Sequence, residues 1–361
     1  MAWLYFNYGG QGLLATAVLD KIRENYAHIE ALGAFSHRAN AWIVAEQEQT
    51  RSVLAQFLGT TPTTITLTQN TTEGCNIALW SYPWRQGDHL LLSDCEHPGI
   101  VAIARVLAQR LGIEFSFFPL FEGRDGGEEK VLQSLAEHLR PQTRMVMVSH
   151  ICWNTGQILP LKAMAQLCHD RGIWLAVDAA QSVGVLPLQL AELEVDFYAF
   201  TGHKWLNAPL GVGGLYVAPR VWSAALPTFV GWRGLQQPYK FEVASSAYPL
   251  LGGLRLALEL AEEDGSIAQR YQKIVDRAHY LWTRLAELSA VALVCASPPR
   301  SGLVSFQVHN ADPTALSHRL EEEYHICLRA IPHPPALRAS VSYSTTPAEI
   351  DRLLVALAAM V

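Results

Sequence analysis

The sequence predicts an α/β fold: a large domain on a mostly parallel sheet with helices on both faces, and a smaller α+β domain after it. Three observations carry this expectation. Between about residues 64 and 217, short apolar runs alternate with amphipathic helical stretches. Strand after helix after strand implies right-handed crossovers, which lay helices on both faces of a parallel sheet. From about Pro249 the pattern shifts to long helical runs and an alternating strand, and 361 residues, 50% of them hydrophobic, exceed the size of one ordinary core. The expected division is a large domain over residues 16–240 and a small domain over 241–361, joined by an N-terminal arm, residues 1–15.

Composition narrows the function classes. The net charge is −6, the pI is about 6.1, and no basic run is present. A nucleic-acid partner is therefore not expected. No apolar stretch reaches the roughly 18 uninterrupted residues of a membrane span. MAWLYFNYGG carries neither a charged leader nor a small-residue cleavage site, so a cytoplasmic protein is expected. Six cysteines (Cys75, Cys95, Cys152, Cys168, Cys295, Cys327) lack metal-ligand spacing. They read as buried thiols of a reducing compartment, and no metal site is expected.

In chain order, YFNYGGQG (residues 5–12) sets paired glycines among aromatic residues, a tight turn against something bulky. Residues 16–58 read as mostly helical from their apolar spacing. Residues 64–68 alternate as a strand and run into QNTTEGCNI (69–77). Small polar residues at such a junction present free N–H groups and hydroxyls, and a helix N-terminus of that kind holds phosphate. Plain capping by Thr71 or Thr72, with Glu73 in the first turn, is the alternative. Residues 89–92 form the next strand, ending at DCEHP; 114–118 is a short strand, and 123–130 a polar surface turn. A buried strand at 144–148 closes on SHICWNTG (149–156), where Asn154 forms an Asx-turn or faces a ligand. Residues 161–171 read as a helix stopped by Gly172.

The stretch 174–217 organises the rest. Asp178 ends its first strand, and Thr201-Gly202-His203-Lys204 ends its second. An acid and a lysine at the carboxyl ends of buried strands face the crevice where open α/β sheets bind ligands. Singly, the acid reads as a helix cap and the lysine as a solvated charge. Together they suit pyridoxal phosphate (PLP) chemistry. A lysine amine condenses with the cofactor aldehyde, and a carboxylate keeps the pyridine nitrogen protonated so that the ring accepts electrons.

In the C-terminal part, residues 302–308 alternate as a strand, 326–328 and 338–342 are short strands, and Thr346-Pro347-Ala348-Glu349 opens the last helix with a capping box. Arg329 follows a strand and Arg338 begins one. A guanidinium binds a carboxylate through two parallel hydrogen bonds; a surface ion pair is the alternative.

VDAAQS followed by AFTGHKW resembles the fold-type I PLP enzymes of the aminotransferase class V or NifS-like group. YFNYGGQG, DCEHPGIVAI, WNTGQILPL, FVGWR and FEVASSAYP resemble most the cyanobacterial L-cysteine/cystine C–S lyases within it. The resemblance covers almost the whole chain. It implies PLP on a seven-stranded sheet and a homodimer with active sites at the subunit interface. It implies phosphate contacts from Asn70, Thr71, Thr72, Thr201 and His203. His97 would stack on the ring and shuttle protons, Asp178 would hold the pyridine nitrogen, and Gln181 would bond the phenolic oxygen. Lys204 would carry the cofactor and serve as base. Asn154 would sit beside the cofactor hydroxyl and the substrate carboxylate, and the backbone at Gly10 would border the substrate. Arg338 would anchor the α-carboxylate, with Arg329 as a second candidate. Ser245 stands where the group has a threonine that reaches the neighbouring subunit's phosphate. The 234–240 connection is shorter than in those lyases, which leaves Trp232 and Arg233 without an assigned contact.

The fold does not choose the reaction. Cysteine desulfurases carry a cysteine on a loop before the anchoring arginine, and that thiolate takes the sulfur. Here RAIPHPPALR (329–338) is short, rich in proline and without cysteine, and Cys327 before it reads as a buried, inert thiol. The resemblance and the missing thiol together imply β-elimination of L-cystine, L-cysteine or both to pyruvate, ammonia and a persulfide or sulfide, with a link to iron–sulfur cluster assembly. Cystine offers the less basic leaving group. The alternatives are a cysteine desulfurase or selenocysteine lyase that yields alanine, a class V aminotransferase, and a cofactor-free scaffold. The complete set Asp178, Gln181, His203 and Lys204 argues against the scaffold.

Overall fold

The computed structural model describes residues 3–243 and 245–360, so Met1, Ala2 and Ala244 of the quoted motifs lie outside the described residues. The chain opens on a short strand, β1 (Leu4–Tyr5), and two helices, Thr16–Leu32 and His37–Leu58. Then come β2 (Ile65–Thr68), β3 (His89–Ser93), β4 (Glu114–Phe118), β5 (Thr143–Ser149), β6 (Trp174–Asp178), β7 (Phe197–Thr201) and β8 (Gly213–Val217). These seven form one sheet in the order β2-β8-β7-β6-β5-β3-β4. Strands β3 to β7 run parallel, and β8 is antiparallel to both β7 and β2. Met145 to Val148 and Phe197 to Phe200 are buried throughout, as continuous apolar strands covered on both faces must be. Gly74 brings the helix Thr71–Ser81 onto β7: a Cβ there would lie 2.8 Å from the Ala199 Cβ.

The 123–130 stretch is more than the expected turn. The helix Gly127–His138 begins inside it, with Glu128 and Glu129 in the first turn, where acidic side chains suit the helix dipole.

The second sheet holds β9 (Val291–Leu293), β10 (Leu303–Val308), β12 (Arg329–Pro332) and β13 (Pro335–Ser340), antiparallel in the order β12-β13-β10-β9. Between β10 and β12, β11 (Ile326–Cys327) pairs in parallel with β1 and ties the N-terminal arm to this sheet. Arg329 follows β11, as expected, and also opens β12, whereas Arg338 lies inside β13 and not at its start. The last helix, Pro347–Met360, has the expected capping box: the Thr346 N–H donates to Glu349 at 2.7 Å, and the Glu349 N–H donates to Thr346 Oγ1 at 3.3 Å.

Apolar packing divides later than residue 241. In the helix Pro249–Glu263, Leu251, Leu254 and Leu258 join the large sheet's core, and Arg255 pairs with Glu46 at 2.8 Å. The change falls within the helix Ile267–Ala286: Ile274 belongs to the first core, and Leu281 and Leu285 to the second. The shift at Pro249 marks where strands give way to helices, not where packing changes partner.

Candidate active site

Strands β5, β6 and β7 end side by side, and their carboxyl ends open into a cavity of about 390 Å³. That lies within the roughly 300–1,000 Å³ of small-molecule sites. Asp178, Gln181, Thr201, His203 and Lys204 line it from β6 and β7, Asn70, Thr71 and Thr72 from the helix N-terminus after β2, and His97 from the turn after β3. Residues more than a hundred positions apart thus meet because parallel strands deliver their ends to one edge.

At the helix end, the Asn70 side chain accepts the Glu73 N–H at 3.0 Å, which leaves the earlier N–H groups free. Thr71 Oγ1 is buried without a hydrogen-bond partner. Across the cavity, Thr201 Oγ1 and His203 Nδ1 lie 2.6 Å apart. Burial, with Lys204 adding to it, pulls His203 down to about 4, so the ring is neutral and its other nitrogen can offer a hydrogen. An orphaned hydroxyl, free amides and a neutral imidazole make a phosphate-sized set of donors.

Deeper, Asp178 accepts the Ala180 N–H at 2.9 Å. Burial pushes its carboxyl up, while that amide, Lys204 and His97 oppose the rise. Lys204 is drawn down to about 8, first by burial and then by Arg338 and Arg329, with Asp178 opposing. His97 caps the helix Pro98–Leu111, its Nδ1 accepting the Gly99 N–H at 3.1 Å, and its ring meets Trp153 edge-on at 5.8 Å. Burial lowers its proton affinity, so it too is neutral at pH 7.

Gln181 is held on both sides. Its amide donates to the Gly9 carbonyl at 2.9 Å and accepts from Trp205 Nε1 at 2.8 Å. One amide hydrogen remains for a ligand. The arm reaches the site through Gly9 more than through Gly10, whose N–H turns back to Asn7. Gly12 is pressed against the lysine turn: a Cβ there would fall 2.1 Å from the Lys204 carbonyl oxygen, so only glycine fits.

Asn154 and Arg338 stand behind Trp153. Arg338 is 2% exposed, donates from Nη1 to the Trp153 carbonyl at 2.9 Å, and leaves Nε without a partner. Asn154 donates to the His333 carbonyl at 3.0 Å, and its Oδ1 is unpartnered. Arg329 faces Arg338 across the β12–β13 pair but is exposed. Burial and that facing charge lower Arg338 to about 9, a site that favours an anion. Ser245 is not brought to the cavity. It lies exposed at φ 63°, with its N–H on the Tyr248 hydroxyl at 2.9 Å, on a separate groove beside Trp232. Sequence reasoning missed Ser149, Ile151, Trp153 and Ala180 in the lining. Ser149 faces Asp178 directly in the β5–β6 register, and register is not written in either strand alone.

The aminotransferase class V family model matches residues 4–353, and the chain belongs to that family. The chain is similar, at 43% identity and a TM-score of 0.94, to the cystine C–S lyase C-DES in complex with its reaction product cysteine persulfide, over 99% of this chain and 97% of that one. A lysine-to-alanine C-DES mutant with glycine covalently linked to the PLP cofactor gives a TM-score of 0.95 at the same identity, over 99% and 96% of the two chains. Curated relatives include the isopenicillin N epimerase of Streptomyces clavuligerus, 31% identical over 98% of this chain and 94% of its own length. A cysteine desulfurase of Escherichia coli O127:H6 is 28% identical over 98% and 92%.

Proposed function

We propose that the chain is a PLP-dependent carbon–sulfur lyase that cleaves L-cystine, L-cysteine or both by β-elimination. With cystine the balance is cystine plus water giving pyruvate, ammonia and cysteine persulfide. The likeness to C-DES and the donor set of the cavity support this reading. When bound, the cofactor supplies an aldehyde for the substrate amine and a ring that accepts the electrons left at Cα.

The chain's residues do the rest. Asn70, Thr71, Thr72, Thr201 and His203 hold the phosphate. Asp178, the acid at the cavity's deep end, keeps a positive charge on the pyridine nitrogen. His97 and Trp153 shield the site from water. Arg338 and Asn154 bind the substrate carboxylate, with Arg329 as an outer cation. Lys204, whose amine gives up its proton near pH 8, takes the proton from Cα and holds it. The β-sulfur leaves with its bonding electrons, and cystine's persulfide is the better leaving group.

One observation carries the choice against desulfuration. Strands β12 and β13 are joined through His333 and Pro334 alone, with Pro332 opposite Pro335, so the connection before Arg338 bears no thiol. Cys327 is fixed in β11 against Tyr5, and burial raises its proton affinity. Incubation with L-cystine and with L-cysteine tests the reading. Pyruvate and a persulfide or sulfide are expected; alanine as the sole carbon product overturns it.

We further infer a homodimer, cytoplasmic, in which Ser245 reaches the cofactor phosphate of the second copy. Exposed Phe35 (89%) and Trp232 (78%), on the same groove of about 770 Å³ as Ser245, support this reading. A persulfide product suits a sulfur donor for iron–sulfur cluster assembly; cluster formation on an acceptor protein, with cystine and enzyme as the only sulfur source, tests that role.

A further inference from the structure

Glu96 precedes His97 and is 6% exposed, yet it has no cationic partner among the described residues. Its carboxyl is enclosed by serines. Oε1 accepts the Ser149 N–H at 2.9 Å and meets Ser93 Oγ, and Oε2 meets Ser149 Oγ at 2.8 Å. Ser149 lies directly opposite Asp178 in the β5–β6 register and lines the cavity beside it. Two buried carboxyls are thus separated by a single residue.

Two carboxylates so placed in a low-dielectric setting cannot both ionise at neutral pH without a cation for each. Asp178 has the Ala180 amide and Lys204 in its favour. Glu96 has only hydroxyls and one amide. The remaining titratable groups that face it are buried thiols, Cys75 from the helix Thr71–Ser81 and Cys95 from its own turn, and neither supplies positive charge.

We propose that Glu96 is a neutral positioning acid: its proton, on Oε2 and donated to Ser149 Oγ, leaves Asp178 the sole negative charge behind the cofactor ring and frees the Ser149 hydroxyl to donate toward the cavity. The proposal rests on the PLP reading for its second half only. Burial and Asp178 together raise the Glu96 carboxyl to about 8, in agreement with the geometry. Above that pH a second negative charge appears behind Asp178, and the pyridine nitrogen holds its proton more tightly.

Two measurements test the proton directly. Infrared spectra of the wild-type protein should contain a buried protonated-carboxyl band at pH 6 that fades as the pH passes through about 8. In parallel, the melting temperature of Glu96→Gln should be compared with that of wild type from pH 5 to pH 9. A carboxyl whose folded affinity for protons exceeds its unfolded one contributes stability at low pH that is lost as pH rises through the folded value. The gap should therefore move in favour of Glu96→Gln up to about pH 8 and then stay level. Absence of the infrared band at pH 6, or a gap independent of pH, overturns the proposal. For the second half, the visible spectrum of the PLP-loaded wild type should show a pH step that Glu96→Gln lacks; the same step in both proteins overturns that half. A protein that takes up no PLP sinks the cofactor reading instead, while the infrared and melting measurements still decide the proton on Glu96.

Discussion

An amine with the ordinary lysine affinity is almost wholly charged at neutral pH. Lys204 is brought to about 8 because burial disfavours its charge and Arg338 and Arg329 add to that, while Asp178 resists. Only the neutral amine attacks an aldehyde. The rate at which cofactor-free protein takes up PLP should therefore climb with pH until about 8 and level off there; a rate still climbing at pH 10 would contradict the lowered value. Lys204→Ala should lose at least the ~10²–10⁴-fold that a positioned base supplies, read as pyruvate released from cystine. The acid–lysine pair was legible in the sequence because Asp178 ends one apolar run and Lys204 closes the short turn after the next. Ser149 and Glu96 were not, because their meaning depends on which strand lies beside which. The Gly9 contact was not legible for a similar reason: only the packed arm decides which carbonyl meets Gln181.

At the scale of elements, β11 decides what Cys327 can do. Paired with β1, it cannot swing into the cavity. Cys327→Ser should leave pyruvate formation unchanged, and loss of turnover in that variant would revive a thiol-dependent reaction. The segment before Ser245 has its own anchor. Glu242 accepts from Arg51 Nη1 and from the Leu67 N–H, each at 2.7 Å, and Arg51 is fully buried. Glu242→Ala strands that guanidinium and should cost about 3–5 kcal/mol in denaturant unfolding. Strand and helix positions followed the apolar periodicity well, since β3 and β5 through β8 are nearly continuous buried runs. The helix Gly127–His138 escaped notice because its first turn is polar and glycine-led, the composition of a surface turn.

For the whole molecule, the division into two sheets was readable and the point of division was not. The helix Pro249–Glu263 looks like the start of the second unit in sequence, yet its apolar face completes the first. Only contacts from residues over two hundred positions earlier, such as Glu46 to Arg255, reveal the attachment. If the groove holding Phe35 and Trp232 closes against a second copy, Phe35→Asp with Trp232→Asp should give monomers by sedimentation and reduced turnover. A double variant that sediments unchanged would remove that face from the assembly.

The arm from Leu4 to Gly12 touches the second sheet, Gln181 and the lysine turn. Phe6 bonds the backbone of Cys327 and Ser340, Gly9 steadies Gln181, and the Gly12 amide meets the His203 carbonyl at 2.7 Å. It works as a tie-rod between the sheet that holds Arg338 and the turn that holds Lys204. Deleting residues 3–12 would take Leu4 and Phe6 out of the second core as well as cut the tie to the lysine turn, so melting temperature and pyruvate release should fall together.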